Sequence, residues 1–192
     1  MKKILLIIGL IFCIFQLVVL AVAIDIGMPA IDRGSTASTY TWVNMGNPAN
    51  ASGTITSIEM WASSALTNCE VATFFVVSGN NLSTRDTELI GSVTPGSKQT
   101  FIVDLDVQAG DYIGAYYTIG TLERDTSAMP GCWMKTGDNI PCSNLLFTNR
   151  ADEAISLYGT GETVVVGWDH KWNTKTISKW NTKEIVKWNG LE

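Results

Sequence analysis

Hydrophobic and polar residues alternate in short runs between about residues 36 and 168, and turn residues separate the runs every 8 to 15 positions. Alternation with a period of two is typical of half-buried strands, and no stretch has the 3.6-residue period of an amphipathic helix. The pattern predicts an all-β domain. In the segment 54–62, the predicted inward set is Thr54, Thr56, Ile58, Met60 and Ala62, and the outward set is Ile55, Ser57, Glu59 and Trp61.

Further segments repeat this alternation. The residues that share a face in each are Phe101, Val103 and Leu105; Val71, Thr73, Phe75 and Val77; Ile113, Ala115 and Tyr117; and Ile155 with Leu157. Turns are expected where Gly and Asn can adopt positive φ, at GNPANASG, SGNN, TPGS, QAGD and YGTGE. About eight strands in some 140 residues suit an antiparallel two-sheet sandwich of jelly-roll type.

The first 23 residues have the composition of a secretory signal. Lys2 and Lys3 precede an apolar run, and the segment closes on the small residues of Ala21-Val22-Ala23. This order predicts a signal peptide cleaved after Ala23, with an uncleaved membrane anchor as the alternative. Either outcome places the remaining chain outside the cytoplasm, in an extracellular or cell-surface setting.

The last segment is an internal repeat of eight residues, KWNTKTIS, KWNTKEIV and KWNG, starting at residue 171. An even period keeps the tryptophans of successive repeats on one face of an extended strand, whereas on a helix they would point in different directions. Residues 170–192 therefore form a predicted attachment tail beyond a domain at 24–169. Its anchoring side chains are Trp172, Trp180 and Trp188, and its lysines share the opposite face with two isoleucines.

Charge divides the chain into the same two parts. Residues 24–169 carry six basic and sixteen acidic residues, a net charge of −10, whereas 170–192 carry a net charge of +3. Nucleic-acid binding needs a basic surface to displace counterions, so an acidic domain argues against it. With 46% hydrophobic and 16% charged residues overall, the chain is also not a disordered polyelectrolyte.

Three cysteines remain after loss of the leader. Cys132 and Cys142 bracket a turn-rich stretch, and in an exported protein this spacing predicts a disulfide between them. Cys69 begins an apolar run and is interpreted as a small buried hydrophobic residue. Their spacing matches no zinc motif, and the chain's single histidine is His170, so no metal centre is expected.

Four segments of the domain carry a resemblance to known sequences: AIDRGS at 30–35, GNPANASGTITSIEMWA at 46–62, GSKQTFIVDLDVQAGDYIGAYY at 96–117 and AISLYGTGE at 154–162. On these segments the domain resembles a jelly-roll-type domain that recurs in secreted or virion-associated proteins predicted from environmental phage and prokaryotic genomes. The tail is similar to the KWNT and KWNG repeats that close many such proteins. The resemblance implies a surface or particle-associated module, with a virion as the alternative location, and it transfers no catalytic residue.

Catalytic motifs are weak in this sequence. A serine or cysteine hydrolase needs a histidine in its pocket, and His170 lies at the domain's end. No phosphate-binding loop or dinucleotide fingerprint occurs, so no cofactor is expected. Paired carboxylates could support glycoside hydrolysis, but nothing in the sequence brings two together. The candidates for that less favoured function are Glu59, Glu123 and Glu153.

The sequence contains residues that suit ligand binding better than catalysis. Sugar rings stack on exposed aromatic side chains while Asn and Asp take their hydroxyl groups. The candidate glycan site is Trp61, Trp133, Asp138 and Asn139, although both tryptophans could instead cover a sheet edge or close one end of the domain. A weaker calcium hypothesis concerns Asp104, Asp106 and Asp111, which are more commonly solvated carboxylates. Sequons at Asn50 and Asn81 would mark surface loops in a glycosylating host.

These observations favour a non-catalytic exported or surface-displayed protein that acts by binding or assembly, with its tail as the attachment segment. A carbohydrate-binding module is the alternative. Partners are then a glycan or a surface or particle protein, oligomers are possible, and membrane contact is expected only through an uncleaved leader.

Overall fold

The computed structural model describes residues 21–163, which fold into thirteen strands joined by turns, without a helix. All pairing between the named strands is antiparallel, so the all-β class predicted from the sequence is confirmed. The two-sheet jelly-roll arrangement stays a prediction. The strands are β1 (Ala23–Met28), β2 (Ser35–Ala37), β3 (Tyr40–Asn44), β4 (Gly53–Ser78), β5 (Asn81–Val93), β6 (Lys98–Val107), β7 (Tyr112–Tyr116), β8 (Ile119–Asp125), β9 (Cys132–Thr136), β10 (Leu145–Leu146), β11 (Thr148–Arg150), β12 (Ala154–Ile155) and β13 (Leu157–Glu162).

The 26-residue strand β4 organises the fold, because it pairs with different strands along its length. Its first part lies between β13 and β6, and β1 continues this group beyond β13. Its middle pairs with β8, which also holds β2 and β12. Its last part lies between β5 and β7, and β3, β9 and β11 follow β7.

Repeated register shifts let one long strand serve these three groups. They occur near Thr56, between Ala62 and Cys69, and after Thr73. A bulge adds a residue to one strand and moves the following side chains to the other face. Ile55, predicted to point outward, is consequently fully buried, and Phe74 rather than Phe75 is the fully buried phenylalanine.

Buried side chains form two clusters. The larger one takes Ile58 and Met60 from the first part of β4 and Cys69 and Val71 from its last part. The Sγ of Cys69 lies 3.9 Å from the Sδ of Met60, so both parts of the strand pack on one core. The smaller cluster contains Val43, Ala72, Phe74, Leu82, Trp133, Ile140 and Phe147.

Several predicted faces are confirmed. Val103 and Leu105 are buried and Phe101 is partly buried, while the alternating Asp104 and Asp106 are exposed. Cys69 is fully buried, as expected for a small hydrophobic residue. In addition, the set Ile113, Ala115 and Tyr117 and the pair Ile155 and Leu157 are all buried.

The segment YGTGE was expected to be a turn, and this prediction is wrong. It lies within β13, between β1 and β4. A Cβ on Gly159 would lie 2.9 Å from Cγ2 of Ile26 and 3.0 Å from Cγ2 of Ile55, and one on Gly161 would collide with the carbonyl oxygen of Thr54. These glycines therefore allow close packing of neighbouring strands rather than a reversal of the chain.

The predicted Cys132–Cys142 disulfide is also wrong, because both residues are free thiols. Cys132 belongs to the larger core cluster, whereas Cys142 packs against the smaller one, which also contains Trp133. Successive residues of a strand point to opposite faces, so Cys132 faces away from the cluster that Cys142 contacts. Sequence spacing carries no information about these faces.

The two ends of the described chain are neighbours. The backbone N–H of Val22 donates to Oγ1 of Thr163 at 2.9 Å, and the N–H of Thr163 donates to the carbonyl of Val22 at 3.0 Å. Strand β1 starts at Ala23, the predicted cleavage position. The rest of the leader and the tail with Trp172, Trp180 and Trp188 lie outside the described residues. Within residues 21–163, no helix is long and apolar enough to cross a membrane.

Candidate functional site

One face of the group formed by β1, β13, β4 and β6 points away from the larger core. Ile58, Met60 and Leu157 are fully buried, and the residues that alternate with them point the opposite way. Cross-strand partners share a face, which extends this set over all four strands. We call it the outer face, and it comprises Asp25, Ser57, Glu59, Trp61, Lys98, Thr100, Ile102, Tyr158 and Thr160.

Two aromatic residues lie side by side on the outer face. Tyr158 lies directly opposite Glu59 in the β13–β4 register, and Trp61 follows Glu59 by two residues on β4. Diagonal neighbours of this kind are about 7–8 Å apart between Cα atoms. Both side chains are partly exposed. Trp61 was predicted from the sequence, whereas Tyr158 was not, because the glycines that flank it suggested a turn.

Small residues are among the neighbours of Tyr158. Gly27 is the β1 partner of Tyr158, and Thr160 and Ser57 lie in the next row across β13 and β4. In the same row on β6, Ile102 is 91% exposed. The outer face therefore combines apolar surface with hydroxyl groups.

Charged groups of the outer face are held by partners. Nζ of Lys98 donates to Oε1 of Glu59 at 2.8 Å. The hydroxyl of Tyr158 donates to Oδ2 of Asp25 at 3.3 Å. Partial burial, followed by the negative charge of Asp25, raises the pKa of Tyr158, so its hydroxyl stays protonated and able to donate.

A loop containing Arg33 borders the outer face at the Trp61 end. The backbone N–H of Trp61 donates to the carbonyl of Ser156 at 3.3 Å, which places Ser156 beside Trp61. The Ser156 hydroxyl accepts from Nε of Arg33 at 2.7 Å and donates to the carbonyl of Ile31 at 2.6 Å. Arg33 also contacts Asp125 at 2.5 Å, and its side chain is only 2% exposed. This network fixes the border of the face.

The other members of the predicted glycan site lie elsewhere. Trp133 is 4% exposed and packs in the smaller core cluster, where its ring meets Tyr112 edge-on and its Nε1 donates to Oδ1 of Asn80 at 2.9 Å. It presents no ring face to solvent, so the prediction that Trp133 stacks a sugar is wrong. Its side chain instead fills part of the smaller core cluster.

Asp138 and Asn139 shape the turn after β9. The amide Nδ2 of Asn139 donates to the carbonyls of Thr136 and Gly137, and Oδ1 of Asp138 accepts the backbone N–H of Ile140. These bonds stabilise the turn itself. The structure therefore places Trp61 in a different group of strands from Trp133, Asp138 and Asn139.

The three glutamates considered for hydrolysis have separate partners. Glu59 lies on the outer face with Lys98. Glu123 is 5% exposed and accepts the backbone N–H of Arg33 at 3.1 Å. Glu153 is 6% exposed and bridges Arg124 and Arg150, each at 2.9 Å. Each is held within a local network.

The calcium candidates are likewise divided. Asp104 and Asp106 are exposed on β6, whereas Asp111 is buried and bound by the guanidinium of Arg85 through two hydrogen bonds. Within residues 21–163, no three His, Cys, Asp or Glu side chains form a group that could hold a metal ion. An open depression of about 380 Å³ nearby is lined by Ser52, Gly53, Arg85, Asp106, Val107 and Gln108.

The two sequon asparagines make contacts of their own. Oδ1 of Asn50 accepts the backbone N–H of Asp25, and Nδ2 donates to the carbonyl of Ala23, both at 3.2 Å. Asn50 is exposed and covers the free edge of β1 in this way. Asn81 starts β5, and its Nδ2 donates to Oδ1 of Asn144 at 3.0 Å.

Comparison with known proteins adds no relative: no family model matches the chain, and no curated protein matches it at a significant level. The structure defines the class as an all-β antiparallel protein with an aromatic-bearing sheet face.

Proposed function

We propose that this protein is a non-catalytic binding protein and that its outer face holds a glycan. The supporting observation is that Trp61 and Tyr158 lie side by side, partly exposed, on one solvent-facing surface of the sheet. An exposed aromatic ring offers an apolar surface on which the C–H face of a sugar can stack.

Hydrogen-bonding groups lie next to these rings. Glu59 and Asp25 supply acceptor oxygens, and Thr100 and Thr160 supply hydroxyl groups that donate or accept. A sugar presents hydroxyl groups around an apolar ring face, so this combination suits it better than it suits a purely apolar ligand.

Binding is favoured over hydrolysis because the carboxylates of the outer face are already engaged. Glu59 pairs with Lys98, and Asp25 accepts the hydroxyl of Tyr158. General acid–base catalysis on a glycoside uses two carboxyl groups that flank the scissile bond. Groups held in this way are suited to positioning sugar hydroxyls.

A glycan-array assay on the full chain tests the proposal. Trp61→Ala and Tyr158→Ala should each lose most of the binding with little change in thermal midpoint, because both side chains are partly exposed. Leu89→Ala is the matched control, since Leu89 is 70% exposed on β5, outside the outer face. Absence of glycan binding by the wild-type chain, or equal binding by all four proteins, would contradict the proposal.

Assembly through the tail is a second proposal, supported by the eight-residue repeat of residues 171–190. We expect removal of residues 170–192 to leave the sheet intact while abolishing association with a surface or particle. Far-ultraviolet circular dichroism and co-sedimentation with the producing cells or particles would measure the two effects. Unchanged co-sedimentation would contradict this role, and export itself is tested by whether the secreted chain starts at Ile24.

A further inference from the structure

We infer that the ligand of the outer face is a neutral, linear polysaccharide lying flat across the strands, rather than an anionic glycan or a terminal sugar. The inference rests on the proposed function and narrows its ligand class. It follows from the charges, the shape and the spacing of the outer face.

The charges disfavour an anionic glycan. Lys98 is the single basic residue of the outer face, and Glu59 already neutralises it at 2.8 Å. Asp25 leaves the face with a net negative charge, and the exposed Asp104 and Asp106 follow Ile102 along β6. Among residues 21–163, the outer face offers uronate or sulfate groups like charges and no unpaired cation, so a neutral polymer is favoured.

The shape disfavours a terminal sugar. A pocket for a chain end needs walls on several sides. Within residues 21–163, the outer face is instead the open side of four paired strands, and Glu59 is the side chain that lies between its two aromatic residues. Its defined border is the Arg33 loop beside Trp61. The depression of about 380 Å³ is lined by other residues. A polymer can continue past both aromatic rings on such a surface.

The spacing indicates more than one sugar unit. Trp61 and Tyr158 project from neighbouring strands in the same direction, so they cannot enclose one ring between them. At a Cα separation of about 7–8 Å, each can contact a different unit of one chain. Ile102, which is 91% exposed, adds apolar surface on the far side of β4.

A depletion assay with the full chain tests this inference. The probes are microcrystalline cellulose and chitin as neutral polymers, alginate and heparin resins as anionic polymers, and free glucose and N-acetylglucosamine as competitors. We expect retention on at least one neutral polymer, about tenfold weaker for Trp61→Ala and for Tyr158→Ala. Leu89→Ala should be retained like the wild type, and millimolar monosaccharide should not release the protein.

The outcomes separate the two claims. Trp61-dependent retention on alginate or heparin, or release by monosaccharide, would overturn the neutral-polymer inference while leaving glycan binding intact. Two outcomes would overturn both the neutral-polymer inference and glycan binding by the outer face. One is retention that neither Trp61→Ala nor Tyr158→Ala weakens, and the other is no retention on any probe together with no binding on the glycan array. Thermal midpoints of the variants show whether a loss of binding comes from unfolding.

Discussion

The backbone N–H of Asp104 donates to Oε2 of Glu88 at 2.6 Å, so a β5 side chain covers the backbone of β6. Asp106 repeats the contact with Oδ2 of Asp86 at 2.9 Å. Among the strands of residues 21–163, β6 pairs with β4 alone, and its other edge would otherwise expose N–H groups to a second chain.

Removing these acceptors should open the β6 edge. We expect the Asp86→Ala, Glu88→Ala double variant to lose about 1–2 kcal/mol of unfolding free energy and to self-associate, because two donors lose their partners. Urea unfolding and size-exclusion chromatography measure the two effects. The Asp86→Asn, Glu88→Gln variant retains acceptor oxygens and should self-associate no more than the wild type does at the same concentration. Similar behaviour of both double variants would argue against edge protection.

Asn44 joins β3 to the β12–β13 region. Its Oδ1 accepts the N–H of Ile155 at 3.0 Å, and its Nδ2 donates to the carbonyls of Ile155 and Leu157, each at 3.1 Å, in a fully buried position. Asn44→Ala should cost about 3 kcal/mol or more, because buried backbone groups lose their partners. Asn149→Ala, at an exposed position of β11, should change stability by less than about 0.5 kcal/mol. Equal midpoints in urea would contradict this role.

Two buried thiols should make the fold sensitive to alkali. Burial raises the pKa of Cys69 from 9.0 to about 12, aided by the charge of Glu70, and burial likewise raises the pKa of Cys132 to about 12. At a pH between 9.0 and about 12, the unfolded chain has lost thiol protons that the folded chain keeps. Their stabilising contribution is complete below about pH 9 and falls as pH rises, by about 1.4 kcal/mol per pH unit for each thiol.

Urea unfolding at pH 8, 9, 10 and 11 measures this fall. Tyr117 adds to it, because burial also raises the pKa of its hydroxyl. Cys69→Ala removes one contribution and should give a shallower slope above pH 9, whatever its effect on stability at pH 8. A slope identical to that of the wild type would show that Cys69 does not titrate as described.

Gly161 has no space for a side chain. Since a Cβ there would collide with the carbonyl of Thr54, Gly161→Ala should separate β13 from β4 and cost about 2 kcal/mol or more. The matched control is Gly34→Ala, because nothing lies within 4 Å of a Cβ at Gly34. Thermal unfolding compares the two, and a Gly161→Ala midpoint at or above that of Gly34→Ala would contradict the packing argument.

Alternation in the sequence was enough to predict the all-β class and the inward face of β6, because that strand keeps an unbroken period of two. It failed at Thr56, where a register shift moves Ile55 into the core. A bulge depends on the partner strands, so the local sequence does not show it. For the same reason β4 was expected to be several short strands.

The candidate site was predicted in part. The exposed position of Trp61 could be predicted because Trp61 lies on the polar side of its alternating segment. The position of Tyr158 could not, because it requires β13 to be a strand, and the glycines of β13 suggested a turn. The turn-rich sequence around Trp133 is typical of a loop, yet Trp133 lies in the core. The pairing of β9 with β3 and β11 decides which way its side chain points. Which side chains share a surface is decided by strand register, and that is a property of the tertiary structure.

The pairing of β1 with β13 has a mechanical consequence. The two strands are antiparallel, and in a chain that starts at Ile24 their register runs from Ile24 with Gly161 to Met28 with Leu157. Opposed forces applied at residues 24 and 163 therefore act on one end of a ladder whose hydrogen bonds lie across the strands. The bonds would break one after another, as in a zipper, rather than together in shear. Pulling at this point should peel β1 away at low force while leaving the pairing of β13 with β4 in place.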